Sequence, residues 1–272
     1  MPKSSKLVQN RYSALIEAVF KKHFRKGILE FKFERDEIVS IASDLEIALP
    51  KNVGDVIYSF RYRVDLPEQI TQTAKKDMEW VIEGIGKASY RFRMVKFNRI
   101  VPRAELLTVK IPDSTPEIIS KHALGDEQAL LAKVRYNRLI DIFLGITSYS
   151  LQNHLRTTVK EMGQIEIDEI YVGVDHFGRQ FVVPVQAKGG NDKHGMVQTL
   201  QDAACCAEKF PHLICRPVSA QFMDDGRIAM FELITDAGDV KIVRENHYKL
   251  VRSAEISAKD LTTYSTLSKP HV

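Results

Sequence analysis

Asp168, Gln186 and Lys188 stand in two otherwise apolar segments of the chain and could together bind a divalent cation and handle a proton. Asp168 offers a carboxylate, Gln186 an amide oxygen and Lys188 an amine. A hard cation such as Mg²⁺ takes oxygen ligands, usually from one or two carboxylates together with water and substrate phosphate. A neighbouring lysine can orient an attacking water or help to deprotonate it. These residue types therefore suit phosphoryl chemistry, provided that the fold brings them together.

The segments that carry these residues have the pattern of a β-hairpin. GQIEIDEIYVGVD (163–175) and GRQFVVPVQAKGG (178–190) are rich in Val, Ile, Phe and Tyr, and DHFG (175–178) supplies the Asp and Gly typical of a hairpin loop. Because side chains alternate along a strand, Gln186 and Lys188 share one face. We expect a neighbouring strand to place Asp168 close to both.

An acid, a spacer and then Gln186-Ala187-Lys188 on the next strand resembles the PD-(D/E)xK nuclease superfamily, in the QxK form of its Mrr-like branch and of many restriction endonucleases. The resemblance covers about residues 120–235 and implies a metal-dependent phosphodiesterase that uses Mg²⁺ or Mn²⁺. It implies that Asp168 is the metal carboxylate and that Gln186 replaces the more usual Glu or Asp. The backbone carbonyl of Ala187 would be a further ligand, and Lys188 would be the catalytic lysine.

The second acid of such a site is open between two glutamates. In QxK branches a glutamate on the preceding helix often restores the missing carboxylate, which implies Glu127 on the helix predicted at 126–144. Glu166 shares the face of Asp168 and is the alternative, and Asp168 lacks the preceding Pro of the family pattern. A structural alternative makes Asp168 a solvated strand residue and Lys188 a strand-end charge. Against it, the strand around Lys188 is mostly apolar, and polar residues on a buried strand need partners.

Length and composition are those of an ordinary globular protein. The 272 residues, 44% hydrophobic and 27% charged, predict one or two domains. The first residues lack the apolar centre of a signal peptide, and no run approaches the ~20 apolar residues of a membrane span, so we expect no membrane partner. The three cysteines lack disulfide spacing, which favours a reducing compartment. We therefore expect a cytoplasmic protein, and the resemblance to restriction endonucleases implies a bacterial or archaeal one.

The net charge of +4 hides an uneven distribution. Residues 1–110 carry 21 Lys and Arg against 14 Asp and Glu, whereas residues 111–272 carry 18 against 21. A basic first part joined to a slightly acidic second part favours an anion-binding module attached to a metal-carrying one. Chance segregation of charge is the alternative.

The basic part shows helical patterns followed by two strand patterns. After an opening helix at about 11–24, helices are expected at 34–47, 54–63 and 67–76, and strands at 78–84 and 87–97. This order resembles a winged helix-turn-helix, which places one helix in the DNA major groove and its wing along the backbone. The predicted DNA contacts lie on the 67–76 helix and on the wing: Gln69, Gln72, Lys75, Lys76, Arg91, Arg93 and Lys96. Tyr90, Phe92 and Met94 are expected to pack inward, and a solvated basic strand on a structural domain is the alternative.

TVKIPDSTPEII (108–119), with its two prolines, is the predicted boundary region between a DNA-binding domain at 1–110 and a catalytic domain at 111–272. SYSLQNHLRTTV (148–159) fits either a helix or a strand. As a strand, it would direct Gln152, His154 and Arg156 toward DNA. Gln198, near the start of a helix predicted at about 195–209, is a further candidate contact.

Together these patterns predict an α/β (α+β) protein with an N-terminal winged helix-turn-helix-like module and a restriction-endonuclease-like mixed-sheet core. The expected function is a type II-like restriction endonuclease on double-stranded DNA, acting as a homodimer because one active site cuts one strand. A DNA methyltransferase would complete such a restriction system. Two alternatives stay open: a repair or junction-resolving nuclease with the same chemistry, and a DNA-binding regulator whose nuclease-like domain is inactive because Gln186 replaces an acid.

Overall fold

The computed structural model describes residues 3–62, 64–96, 99–122, 127–160, 162–189, 194–236 and 238–267, and it shows a mixed α/β protein with one large mixed sheet. The chain divides into two compact units. The first comprises residues 1–98, 157–165 and 195–197, and the second comprises residues 99–156, 166–194 and 198–272. Among the described residues, no helix is both long enough and apolar enough to cross a membrane.

The main segment of the first unit forms a three-stranded sheet and the helices that pack on it. Its elements are α1 (Lys3–His23), β1 (Glu30–Glu34), α2 (Arg35–Asp44), α3 (Gly54–Tyr62), α4 (Glu68–Thr71), β2 (Glu79–Gly86) and β3 (Ser89–Val95). β3 lies between β1 and β2 and pairs antiparallel with both. Phe20 of α1 meets Trp80 and Phe92 edge-on, with ring centroids 5.2 Å apart in each pair. These aromatic contacts hold α1 on the sheet.

Two details of this unit differ from the sequence-based prediction. Strand β1 was not predicted, and the helix predicted at 67–76 is reduced to the single turn of α4. The Thr73 hydroxyl donates to the backbone carbonyl of Ile70 and accepts from the indole of Trp80. Such a side-chain bond to the backbone competes with helix propagation, which explains why the helix stops here. The inward packing of Phe92 and Met94 is confirmed, because both side chains are buried.

The remaining elements build the large sheet and its covering helices. They are β4 (Arg99–Ile100), β5 (Thr108–Pro112), α5 (Glu117–His122), α6 (Glu127–Tyr136), α7 (Leu139–Leu144), β6 (Thr147–Val159), β7 (Gly163–Val174), β8 (Gln180–Lys188), β9 (His194–Gly195), α8 (Met196–Lys209), β10 (Ile214–Cys215), β11 (Val218–Phe222), β12 (Ile228–Asp236), β13 (Asp239–Val251), a 3₁₀ turn (Ser253–Glu255) and α9 (Ala258–Ser265).

The large sheet has the strand order β5-β13-β12-β11-β8-β7-β6, and β10 also pairs with β8. β7 and β8 are antiparallel, whereas β8 and β11 are parallel and are connected through α8. A crossover of this length is what a parallel pair requires. β11, β12 and β13 continue antiparallel, and β5 joins β13 in parallel. The predicted domain boundary at residue 110 therefore lies within a strand of this sheet, inside the second unit.

The core of the second unit explains the apolar character of β8. Val183 and Val185 are fully buried together with Leu130 and Val134 of α6. The helix predicted at 126–144 is divided into α6 and α7, because Arg138 adopts a left-handed φ of 49°; residue 126 lies outside the described residues. The segment at 148–159, which fitted either a helix or a strand, belongs to strand β6.

Candidate active site

The predicted hairpin of β7 and β8 is confirmed, with Glu169 opposite Val185 and Val174 opposite Gln180. The Asp175 carboxylate closes the turn by accepting the backbone N–H groups of Phe177 and Arg179, each at 3.0 Å. Gly178 has a φ of +78°, a conformation that glycine adopts without strain. Turn geometry of this kind fixes the register of the two strands and hence the faces on which their polar side chains lie.

Asp168 of β7 is buried and bridges to β8. Its Oδ2 accepts the backbone N–H of Ala187 at 2.8 Å. Burial raises the pKa of the Asp168 carboxyl, while the charge of Lys188 and the Ala187 N–H partly offset that increase. The charge of Lys188 therefore acts on the Asp168 carboxyl. A buried carboxylate beside a single ammonium is a frequent feature of functional sites.

Lys188, at the end of β8, contacts the first residue of α6. Its Nζ lies 3.3 Å from Oε1 of Glu127, and the Lys188 side chain is only 12% exposed. The two residues are far apart in sequence, yet the packing of α6 against β8 brings them together. Glu127, the candidate second acid on the helix before the hairpin, therefore contacts Lys188 in this structure.

Gln186 points its amide nitrogen at a carboxylate that the sequence analysis did not identify. Its Nε2 donates to both oxygens of Asp202, at 3.0 and 3.1 Å, and to the backbone carbonyl of Glu166 at 3.1 Å. Asp202 lies on α8 and is 1% exposed. Burial raises its pKa well above the ordinary range, and the nearby Asp168 raises it further. We name Glu127, Asp168, Lys188 and Asp202 the lysine cluster.

The sequence contains one signal that could have revealed Asp202. Thr199, Asp202, Cys205 and Cys206 follow each other at helical spacing, and all four are buried. An acid within an otherwise apolar or weakly polar helix stripe needs a partner, and the polar Gln186 is the residue that supplies it. Gln198, the residue singled out instead, lies half-buried in the first turn of α8.

Glu166 has a different set of partners. Its carboxylate oxygens lie 2.9 Å from Nδ1 of His154 and 3.2 Å from Nε of Arg156. His154 also contacts the amide of Gln128 at 3.3 Å. His154 has a φ of +50°, which interrupts the simple alternation expected along β6. The three β6 residues predicted to face DNA are all exposed, and two of them, His154 and Arg156, meet on Glu166.

His194 lies near the lysine cluster, and its ring is buried. Its Nε2 is 3.1 Å from the Thr199 hydroxyl, and its Nδ1 has no hydrogen-bond partner among the described residues. Burial, with a contribution from the charge of Lys188, lowers the pKa of His194 to about 3. The imidazole is consequently neutral at physiological pH.

The oxygen donors near Lys188 match the chemistry of Mg²⁺ only in part. Asp168 supplies one carboxylate, the Ala187 carbonyl follows it on β8, and the oxygen of the Gln186 amide is the end that does not donate to Asp202. Mg²⁺ commonly accepts so few protein ligands because water and substrate phosphate complete its shell. Within the described ranges, no group of three or more His, Cys, Asp or Glu side chains is arranged to hold a metal. The residues thus fit a cation that also depends on substrate oxygens.

Glu169, the residue after Asp168, belongs to the opposite face of β7. It is fully buried, and its Oε1 accepts Nε of Arg135 at 2.9 Å and the hydroxyl of Ser150. This ion pair joins α6 to β7 and stays apart from the lysine cluster. Glu169 is therefore a structural acid.

The arginines predicted for the wing are held by a carboxylate of their own sheet. Arg91 donates to Oε2 of Glu83 at 2.7 and 3.0 Å, and Arg93 donates to Oε1 of Glu83 at 2.7 and 3.0 Å. Glu30 lies 3.2 Å from the other side of Arg91. We name Glu30, Glu83, Arg91 and Arg93 the arginine cluster. Its cations are already paired, in contrast to the exposed phosphate contacts that the sequence analysis expected.

The residues predicted on a recognition helix at 67–76 lie in the single turn of α4 or in the chain that follows it. Gln69 is in the single turn of α4, where its amide, in the orientation that satisfies both of its ends, donates to Glu17 of α1. Gln72 donates to Glu68 at 2.7 Å. Lys75 and Lys76 follow this turn and are exposed, as is Lys96 beyond β3. The amides therefore serve the fold of this unit, and the lysines present positive charge to solvent.

No protein-family model, curated protein or solved structure matches the chain. The fold and the site chemistry define the class of protein only to the level of a mixed α/β protein with a buried cluster of acids around one lysine.

Proposed function

We propose that the protein is a Mg²⁺-dependent endonuclease that hydrolyses DNA phosphodiester bonds. The observation that carries this proposal is the convergence of Asp168 and Glu127 on Lys188, from a strand, a helix and the neighbouring strand. The antiparallel pair β7–β8, followed by α8 and a strand parallel to β8, supports a restriction-endonuclease-like core. The basic N-terminal part supports double-stranded DNA as the substrate.

The Asp168 carboxylate, the Ala187 carbonyl and the Gln186 oxygen would hold the cation. Mg²⁺ bound there would polarise the scissile phosphate and make a water molecule more acidic. Glu127 orients the Lys188 ammonium, which is then available to stabilise negative charge that develops on the phosphate. Glu166, engaged with His154 and Arg156, is less suited to be the second acid than Glu127.

The first unit would supply DNA binding in the manner of a winged helix. In its main segment a helix, a strand, three helices and a hairpin follow in order, and Lys75, Lys76 and Lys96 are exposed. Exposed lysines are suited to phosphate contacts, which position a protein on DNA without reading sequence. Double-strand cleavage would require a homodimer, and a restriction role in a bacterial or archaeal cytoplasm would pair the enzyme with a DNA methyltransferase.

The test is cleavage of supercoiled plasmid with Mg²⁺ by the native chain and by Lys188→Ala. Loss of a group that stabilises charge developing in the transition state costs about 100- to 1000-fold in rate, so Lys188→Ala should reduce nicking by at least about 100-fold. Lys249→Ala, an exposed lysine on β13, is the matched control and should cleave like the native chain. Discrete fragments would support restriction, whereas nicking without sequence preference or a preference for branched DNA would support a repair nuclease. Equal cleavage by the native chain and Lys188→Ala would overturn the assignment.

A DNA-binding regulator is the second candidate. It is favoured by the presence of Gln186 where a nuclease more often carries an acid. Retained DNA binding without cleavage under Mg²⁺ or Mn²⁺ would select this candidate.

A further inference from the structure

Asp202 stands out because it is a fully buried acid with a specific contact to Gln186. Its two oxygens both accept from Gln186 Nε2, at 3.0 and 3.1 Å. A third acceptor, the backbone carbonyl of Glu166, lies 3.1 Å from the same nitrogen. A buried acid of this kind is costly to a fold unless it has a definite partner, and here the partner is the QxK glutamine itself.

An amide side chain has one donor end and one acceptor end of nearly the same shape, so its orientation is set by its hydrogen bonds. Asp202 and the Glu166 carbonyl both accept hydrogen bonds here, so the amide of Gln186 turns its NH₂ group toward them. The oxygen of Gln186 must then occupy the other position. Without these acceptors, either end of the amide fits the space, and an N–H group facing a cation would repel it.

We propose that Asp202 is a positioning residue that fixes the amide of Gln186 with its oxygen toward the cation site. This inference rests on the proposed function, because it assigns the orientation of one ligand in that site. Asp202 need not touch the DNA or the metal. It acts through Gln186, in the way that outer-shell carboxylates orient the ligands of metal centres.

The same contact explains why this chain can carry Gln where an acid is more usual. A Glu at position 186 would place a second carboxyl group about 3 Å from Asp202, and the two acids could not both ionise there. The amide and the acid are therefore a matched pair. Exchanging them, as Gln186→Glu together with Asp202→Asn, keeps one donor and one acceptor at the contact and turns QxK into ExK.

The experiment compares five chains: native, Asp202→Ala, Asp202→Asn, Gln186→Glu and the double exchange. Plasmid cleavage is measured as a function of Mg²⁺ concentration, Mn²⁺ binding is measured by calorimetry without DNA, and thermal unfolding reports folding. Asp202→Ala should lose about 10- to 100-fold in cleavage and require more Mg²⁺ for half-maximal activity. Asp202→Asn keeps one acceptor oxygen and should lose less.

Gln186→Glu alone should lose at least about tenfold in cleavage, as a ligand deprived of its outer partner does. The double exchange should recover most of that loss and reach half-maximal activity at a lower Mg²⁺ concentration than Gln186→Glu. A merely structural role would change unfolding temperatures without moving the Mg²⁺ requirement of the folded chains. Asp224→Asn, an exposed acid in the turn between β11 and β12, is the control and should match the native chain.

The two proposals fail in different ways. If the native chain cleaves and binds Mn²⁺ but all Asp202 variants keep the native Mg²⁺ requirement, the positioning role is wrong and the endonuclease proposal stands. If the native chain binds Mn²⁺ without cleaving, the endonuclease proposal fails, and weaker Mn²⁺ binding by Asp202→Ala still supports the positioning role. If the native chain neither cleaves nor binds Mn²⁺, both are overturned.

Discussion

The arginine cluster and the lysine cluster differ in the balance between their acidic and basic side chains. In the arginine cluster, each oxygen of Glu83 receives a guanidinium group, and Glu30 adds a second carboxylate, so acids and cations are equal in number. In the lysine cluster, as its described residues define it, three acids accompany one lysine, Lys188, and two of them, Asp168 and Asp202, are almost completely buried. One region is balanced and the other carries excess acid.

This difference separates a structural cluster from a candidate functional site. A buried carboxylate with matched donors can be supported by the fold alone. An excess of buried acid is unfavourable unless a further cation or a proton binds to it. Ionisable groups whose pKa is strongly shifted in this way cluster at functional sites. The raised pKa values of Asp168 and Asp202, both caused first by burial, are the electrostatic expression of that excess.

The largest expected effect follows from Asp168→Asn. Cleavage should fall at least about 100-fold, because loss of even an outer partner of a metal ligand costs 10- to 100-fold. The unfolding free energy at neutral pH should not decrease. Burial raises the pKa of Asp168 in the folded state, so its ionised form opposes folding once the pH exceeds the ordinary value of 3.8, and Asn removes that cost. Plasmid nicking and urea unfolding measure the two quantities.

Glu169→Gln, on the neighbouring residue of the same strand, is the control for this prediction. It disturbs the ion pair with Arg135 and should destabilise the fold by about 1–3 kcal/mol, the cost of leaving buried polar groups poorly matched. Cleavage by the folded chain should not change. A destabilised Asp168→Asn with native cleavage would reverse the assignment of the two acids.

A smaller effect concerns DNA affinity and its dependence on salt. Each phosphate contact contributes about 0.9 to the slope of log affinity against log salt. Replacing the exposed Lys75, Lys76 and Lys96 with Gln should therefore reduce the magnitude of the slope by about 2–3, as measured by fluorescence anisotropy on a duplex. Arg91→Gln with Arg93→Gln should reduce it by less than about 1, because these arginines are already paired with Glu83.

Gln retains hydrogen-bond donors for Glu83, so the double arginine variant should remain folded. A reduction of about 2 in its slope would mean that both arginines leave Glu83 for phosphate on binding. The arginine cluster would then be a DNA-binding surface in which Glu83 competes with phosphate for the two arginines. It would no longer be a purely structural cluster, in contrast to the lysine cluster.

Local patterns in the sequence were sufficient to predict the hairpin that carries the candidate site. The Asp and Gly of the 175–178 turn and the alternation of the two arms predict an antiparallel pair, and the structure agrees. The same alternation predicted that Phe92 and Met94 of β3 pack inward, and both are buried. The end of the helix after Pro67 could not be predicted in this way, because it depends on the bond from the Thr73 hydroxyl to the Ile70 carbonyl, and that hydroxyl also accepts from the distant Trp80.

The missed features depend on partners that are distant in sequence or on another element. Asp202 gains its hydrogen-bond partner only when the fold brings α8 to Gln186 of β8. The pairing of Arg91 with Glu83 and Glu30 requires the register of β1 and β2 on β3, and β1 itself was not predicted. A positive charge in a sequence indicates the possibility of a phosphate contact, but tertiary structure decides whether an intramolecular carboxylate has already taken it.

The smallest expected effect tests charge balance at a second place in the first unit. Glu37 of α2 lies 2.6 Å from Nζ of Lys22 and 2.8 Å from Nε2 of His23. Burial acts to raise its pKa, but the bonds from Lys22, the backbone of Glu34 and His23 outweigh it and lower the pKa from 4.5 to about 2. A depressed carboxyl pKa stabilises the fold above the unfolded value and loses that contribution as the pH falls toward the folded one.

Glu37→Gln should therefore be less stable than the native chain at pH 7, and the difference should disappear between pH 4.5 and about 2. Urea unfolding at several pH values measures it, with Asp44→Asn, an exposed acid on the same helix, as the control. Asp168→Asn should show the opposite trend, gaining relative to the native chain as the pH rises. The distinction between balanced and acid-rich clusters requires the stability differences of the Glu37 and Asp168 variants from the native chain to change in opposite directions with pH. Stability differences that change in the same direction would contradict it.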